Sequence, residues 1–297
     1  MEKYFDIELE IGNKKINIYR VSSVERPKNN SVIFVTEKYA YMMDNLANIR
    51  SCLIFLDKQI EIPQQIECDN CIVSCDRPRL EMARFFHENR VTSIPQKEEG
   101  KWENGYFKAH DSIIGDGSII MEGAYIGNEV VVGRNVYIGC GVKLLGKVLI
   151  GNNTIIRENT VIGCEGLAYE RDENGELFVI PQFGGVIIGD NVVIGALTVV
   201  AKGAIDNTII ESGVKIDNAC FVSHNVRIGE NATIVGETLL MGSVEIGKYS
   251  NISGNVTVRD KVKVGEKSFL GMGSVIIKDI EDGRIVVGNP ARALERN

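Results

Sequence analysis

The sequence predicts a mainly β protein: a three-sided parallel β-solenoid preceded by a small α/β domain. Three observations carry that expectation. An aliphatic residue returns every six positions across residues 114–276, in runs at 114–162, 188–200 and 210–276. Gly, Asn, Asp or Glu often follows it, and the fifth position of each hexad is usually Ser, Thr, Val or Ala. Residues 1–107 show no such period and alternate short apolar runs with helical patterns.

A six-residue period drifts around a 3.6-residue turn, so it does not make a helix face. It suits a short strand followed by a corner. Three such faces make a coil of 18 residues, and the 24 hexads give about eight coils. Each face is too short to bury its own apolar side, so stacked coils must do so together, with each coil satisfying its neighbour's backbone groups. Turn-tolerant residues such as Gly127-Asn128 and Gly151-Asn152 are expected near the corners.

In the N-terminal part, apolar runs at Ser31–Val35, 52–56 and 71–74 read as strands. A helix is expected over 37–49. Asp76-Arg77-Pro78 opens another, which ends near Asn89. Strands alternating with helices indicate an α/β domain over 1–107. The polar stretch 95–105 connects it to the coil, with Trp102 and Tyr106 expected to cover the first turn. The solenoid itself is expected over 108–285, and a tail over 286–297.

With 297 residues and 44% hydrophobic content, the chain can build two cores. Its net charge of -7 gives no support for binding a nucleic acid polymer. No signal peptide or transmembrane run stands out, and seven scattered cysteines read as reduced thiols, so the cytoplasm is the expected compartment. Cys68, Cys71 and Cys75 lack a fourth ligand nearby, and His224 is the only histidine inside the long repeat, so neither a structural zinc nor a three-histidine centre fits. No metal is expected.

Two interruptions break the period. About 20 residues leave between Ile162 and Ile188, carrying Asn174-Gly175 as a hairpin turn and Leu177, Phe178, Val179, Ile180 and Phe183 as apolar residues in need of a surface. A loop reaching a ligand or a neighbouring subunit is expected there. Four extra residues fall between Val200 and Ile210, where Asp206 and Asn207 are expected to make a turn. Of the three histidines, His87 lies in the expected helix and His110 before the first full hexad. His224 stands two positions after the column residue Val222, near a corner, where an imidazole can exchange a proton at neutral pH. Near the end, Gly288, Asn289 and Pro290 force a tight exit, and Ala291 and Arg292 follow; an arginine there suits phosphate oxygens.

These residues resemble the left-handed parallel β-helix acyltransferases, over most of residues 108–292. Within them the chain is similar to UDP-3-O-acylglucosamine N-acyltransferase and to nucleotide-amino-sugar N-acetyltransferases. Residues 31–39 resemble that family's uridine-binding domain, 76–80 its later strand-to-helix segment, 163–185 its coil excursion, and 214–218 with 222–226 its active-site signature. The handedness comes from this resemblance alone. It implies a homotrimer with active sites at subunit boundaries. It also implies His224 as general base, Asp217 as a partner acid, Phe34 and Tyr39 as contacts for the base of the nucleotide, and Asn225 as a substrate contact. The chain departs from the family in having no second histidine around 256–260 and no helical tail after 292 in the sequence read here. The segment Gly288, Asn289, Pro290, Ala291 and Arg292 resembles that of small-acyl transferases that use coenzyme A. The first expectation is therefore an acetyl-CoA-dependent N-acetyltransferase acting on a nucleotide-linked amino sugar in cell-surface glycan biosynthesis. The alternatives are the lipid A N-acyltransferase fed by acyl carrier protein, a sugar O-acetyltransferase and a non-enzymatic scaffold. A scaffold would leave 163–187 and 288–292 without ligands.

Overall fold

The computed structural model describes residues 3–11, 14–93 and 98–293. The chain forms two compact units, Met1–Ile94 with Leu167–Phe183, and Pro95–Gly166 with Gly184–Asn297.

In the first unit, β1 (Ile7–Ile11) and β2 (Lys14–Ile18) form an antiparallel hairpin. A parallel sheet follows in sequential order, β3 (Arg20–Val21), β4 (Ser31–Val35), β5 (Leu53–Asp57) and β6 (Cys71–Cys75). Val32, Ile33, Val35, Leu53, Ile54, Phe55 and Leu56 are all buried, the near-continuous apolar run that a strand covered on both faces requires. The helix expected over 37–49 is a 3-10 helix, Glu37–Leu46. A short helix α1 (Gln64–Asp69) precedes β6, and α2 (Pro78–Glu88) follows it. Pro78 opens α2, where its missing N–H has no intrahelical partner to lose, and Leu80, Met82, Ala83 and Phe86 form its buried face.

The excursion belongs to this same unit. Its strands Tyr169–Arg171 and Leu177–Val179 pair antiparallel, and Asp172 closes the turn by accepting the N–H groups of Asn174 and Glu176 at 2.9 and 2.8 Å. Glu173 meets Arg84 at 2.7 Å and Glu170 meets Arg79 at 2.9 Å. Phe178 sits against the edge of His87, at 5.4 Å between centroids. Phe183 lies 4.9 Å from Tyr4, 6.0 Å from Phe5 and 5.9 Å from Phe86. Phe178 and Phe183 thus rest on α2 and the first strand's approach. Ile180 and Phe183 are buried within this unit, whereas Leu177 and Val179 remain 48% and 60% exposed, so only part of the excursion's apolar surface is covered here.

The second unit is the solenoid, mainly β and left-handed, with three parallel walls. The first wall carries Val130–Val132 and Arg227–Ile228, the second Tyr137–Ile138 and Lys215–Ile216, the third Lys143–Leu144 and Phe221–Val222. Val130 pairs with Val148, one plain coil on; Val148 pairs with Val186 across the excursion; Val186 pairs with Thr208, across a coil four residues longer. Ile138, Ile162, Ile194, Ile228 and Ile252 are fully buried, while Ile114, in the open first coil, is only partly so. The fifth hexad position also points inward, as Val142, Thr160, Val226 and Val244 show.

The corners divide the labour between two residue types. Asn135, Asn153, Asn191, Asn225 and Asn231 adopt the left-handed conformation, which asparagine tolerates. Glycines directly after the column residue allow close stacking instead: a Cβ on Gly133 would lie 2.8 Å from the backbone of Gly151 in the next coil.

At the start, β7 (Gly100–Glu103) and β8 (Tyr106–Ala109) form an antiparallel hairpin. Tyr106 packs against the column and Phe107 stacks on Tyr125 at 4.5 Å, whereas Trp102 is 65% exposed and does not cover the coil. At the far end Ile285–Val287 pairs antiparallel with Arg292–Ala293, which closes the last coil. No helix among the described residues is long and apolar enough to cross a membrane.

Candidate active site

His224 sits at the corner between the third and first walls, after Phe221–Val222 and before Arg227–Ile228, and is half-buried. The turn is made by Asn225, at φ 60°. Its side chain is fully engaged on two sides. Oδ1 accepts the N–H of Ala204 at 2.9 Å, and Nδ2 donates to the carbonyl of Asp206 at 2.8 Å. Its backbone N–H donates to Thr208 Oγ1 at 2.9 Å. The bulge at 203–208, which makes this coil four residues longer than a regular one, is therefore more than a turn. It backs the histidine corner, and Asn207 ties it to Gly185 where the excursion returns, at 2.8 Å. Both interruptions leave the repeat between the third and first walls, the corner on which His224 also lies.

Imidazole Nδ1 lies 3.1 Å from Asn225 Oδ1. One coil on, Gly242 lies under the ring: a Cβ there would be 2.7 Å from both Cε1 and Nε2. The sequence reading missed Gly242 and Thr208; the signal was available, since Gly242 stands one 18-residue coil after His224.

The other expected residues are dispersed. Asp217 is exposed on a different corner, between the second and third walls, and its carboxylate accepts the N–H of Asn218 at 2.8 Å. Within one chain the imidazole's hydrogen-bond partner is Asn225, not Asp217. Asn225 was expected to meet the substrate, yet its amide oxygen already faces Ala204 and His224. Phe34 and Tyr39 belong to the first unit. Phe34 is half-buried opposite Phe55 at the end of β4, and Tyr39 packs on that unit's core with Lys38 5.5 Å from its ring centre. Gly288, Asn289, Pro290 and Ala291 form the turn of the closing hairpin, with Ala291 donating to Val275 at 2.9 Å, and Arg292 is exposed.

A polar cleft of about 420 Å³ runs along another corner, lined by Asp116, Arg134, Asn152 and Asp190 among others. Two of its groups belong to the corner ladder: Asn152 donates to Asp190, and its amide oxygen accepts the backbone N–H of Arg134. No group of three or more His, Cys, Asp or Glu able to hold a metal occurs among the described residues.

Residues 129–164 match the bacterial transferase hexapeptide family model of six repeats. The chain is 44% identical over 128 residues to the UDP-3-O-acylglucosamine N-acyltransferase of Campylobacter jejuni, covering 43% of this chain and 40% of that protein. It is 48% identical over 81 residues to the protein of that name from Coxiella burnetii, covering 27% and 24%. The matched stretches thus span about a quarter to two-fifths of these relatives' lengths. Among solved structures, a UDP-N-acetylglucosamine acyltransferase from Bacteroides fragilis superposes with a TM-score of 0.59 at 23% identity, over 65% of this chain and 74% of that one, and shares the fold.

The repeat and the three walls give this chain the left-handed β-helix fold, and part of the repeat matches the hexapeptide transferase model. Over the matched stretches the chain is similar to UDP-3-O-acylglucosamine N-acyltransferases. This relation overturns the expectation of acetyl-CoA as donor. The relatives are N-acyltransferases of a sugar that already carries an acyl chain, and the 288–292 segment that prompted the coenzyme is the turn that closes the last coil.

Proposed function

We propose that this chain transfers an acyl group from acyl carrier protein to the amino group of a nucleotide-linked, 3-O-acylated glucosamine, with His224 as general base. The observation that carries the reading is the His224 corner: a half-buried imidazole braced by Asn225 and seated over Gly242, in a solenoid related to enzymes of that name. In the reaction the neutral amine attacks the thioester carbonyl. His224 takes the amine proton as the C–N bond forms, and the carrier's thiol leaves when the tetrahedral adduct collapses. Phe34 and Tyr39 are proposed to hold the nucleotide base. Asp217, on its separate corner, is given no part in the proton transfer.

The proposal includes a homotrimer. Ile113 and Ile119 are 59% and 58% exposed on two outer walls, and Leu239 and Met241 add to a third, apolar area that a second copy can cover. Light scattering on the purified chain tests it, and a monomer would sink it. All seven cysteines are unpaired, which suits the cytoplasm as the proposed compartment.

The central test is single-turnover transfer to UDP-3-O-acylglucosamine from acyl carrier protein. His224→Ala should bind both and lose roughly 10²–10⁴-fold in rate, the scale of a positioned general base. A folded His224→Ala protein turning over at the unmutated rate refutes the assignment. With the carrier's acyl group isotopically labelled, label retained on the sugar after hydroxylamine treatment identifies an amide, and label released as the hydroxamate identifies transfer to oxygen.

A further inference from the structure

Asparagine amides look alike from either end, but the one at Asn225 has its orientation dictated by its neighbours. The Ala204 N–H needs an acceptor and lies 2.9 Å from Oδ1. The Asp206 carbonyl needs a donor and lies 2.8 Å from Nδ2. Flipping the amide would set donor against donor at Ala204 and acceptor against acceptor at Asp206, so the oxygen must face Ala204. The same oxygen is the atom 3.1 Å from His224 Nδ1. An amide oxygen only accepts, so Nδ1 must carry the hydrogen, and the lone pair of a neutral imidazole is left on Nε2.

We propose that Asn225 is a positioning residue: held by the 203–208 bulge, its amide oxygen locks neutral His224 as the Nδ1–H tautomer, with Nε2 free to accept a proton. This rests on the reading of His224 as general base. It also supplies a purpose for the four extra residues of the bulge. A regular coil places no backbone N–H and carbonyl of Ala204 and Asp206 in reach, and without them the amide could rotate and stabilise the other tautomer. The left-handed φ of 60° at Asn225 aims the side chain back along the corner and is a conformation asparagine accepts readily.

The test begins with the unmutated protein, labelled with ¹⁵N-histidine. There are only three histidines, and His224 is assigned by its loss in His224→Ala. At a pH where the ring is neutral, Nδ1 should show the protonated, pyrrole-type signature and Nε2 the pyridine-type one. Asn225→Gly keeps a residue suited to positive φ while removing the amide. It should abolish the Nδ1–H preference and lower kcat roughly tenfold to a hundredfold, the scale on which partners that orient an imidazole are felt, with KM little changed. Asn225→Asp keeps an oxygen acceptor for Ala204 and the ring but sets its second oxygen against the Asp206 carbonyl, so it should restore the Nδ1–H signature and raise kcat above that of Asn225→Gly without reaching the unmutated value. An Nε2–H signature in the unmutated protein overturns the proposal, and so does Asn225→Gly with unchanged tautomer and kcat. The two levels separate cleanly. A fully active His224→Ala protein removes the general base, whereas a dead His224→Ala beside a fully active Asn225→Gly removes only the positioning role.

Discussion

Gly242→Ala isolates the seat of the imidazole. The added methyl carbon would stand 2.7 Å from Cε1 and Nε2 and 3.4 Å from Nδ1. Ordinary carbon contacts lie at about 3.5–4.0 Å, so one side must yield by about 1 Å. The backbone at Gly242 cannot yield cheaply. Its carbonyl accepts the Lys261 N–H at 2.9 Å, and the adjoining Ser243 N–H donates to the His224 carbonyl at 2.9 Å. The ring is the softer party and should swing away from its seat, stretching the bond to Asn225. A displacement of about 1 Å at a reacting group can lower turnover roughly 10²-fold. Gly242 does not use the left-handed region, so alanine brings no backbone strain, and stability should change by no more than about 1 kcal/mol. Single-turnover transfer at saturating acceptor and donor, with a melting curve on the same sample, reads both quantities. A rate within about threefold of the unmutated protein, or a rate loss matched by wholesale unfolding, would refute the reasoning.

Two further outcomes follow from the fold. Phe183 is buried against Tyr4, Phe5 and Phe86, so Phe183→Ala should destabilise the first unit by about 3–5 kcal/mol and release the amides of 169–179 to hydrogen exchange; unchanged protection there would contradict the docking of the excursion. Burial pushes the Cys52 thiol up to about 11 and raises that of Cys220 as well, leaving less thiolate at any given pH, while Cys68 and Cys140 are exposed; mild alkylation followed by mass mapping should label the exposed pair first, and equal labelling of Cys52 would contradict its burial.

The solenoid was legible because its physics repeats. One coil's aliphatic must meet the next coil's, so Ile138, Ile194 and Ile228 announce themselves by spacing alone. The strand at Ser31–Val35 and the helix ending beside Asn89 were legible from an apolar run and from Pro78 with Asn89 at its ends. The hairpin Ile7–Ile18 was passed over although its sequence carries the signal: apolar and polar residues alternate in both runs, with Gly12-Asn13 between them. His224 stood out by rarity, but its setting did not. Gly242 looks like any corner glycine until the coils are stacked, and the Asn225 bonds depend on a bulge whose path no period predicts. Asp217 came from the resemblance alone; within one chain it stands on another edge of the coil, between the second and third walls.

The first unit takes its last strands from residues 167–183, after several coils of the second have already been written into the chain. A ribosome therefore releases an unfinished module and must add about 70 more residues before the piece that rests on α2 emerges. The same arrangement constrains genetic exchange. A crossover in the connector near residue 95 would carry away an incomplete domain and leave its hairpin stranded on the wrong scaffold, so the two halves of this protein are expected to be inherited and swapped as one piece.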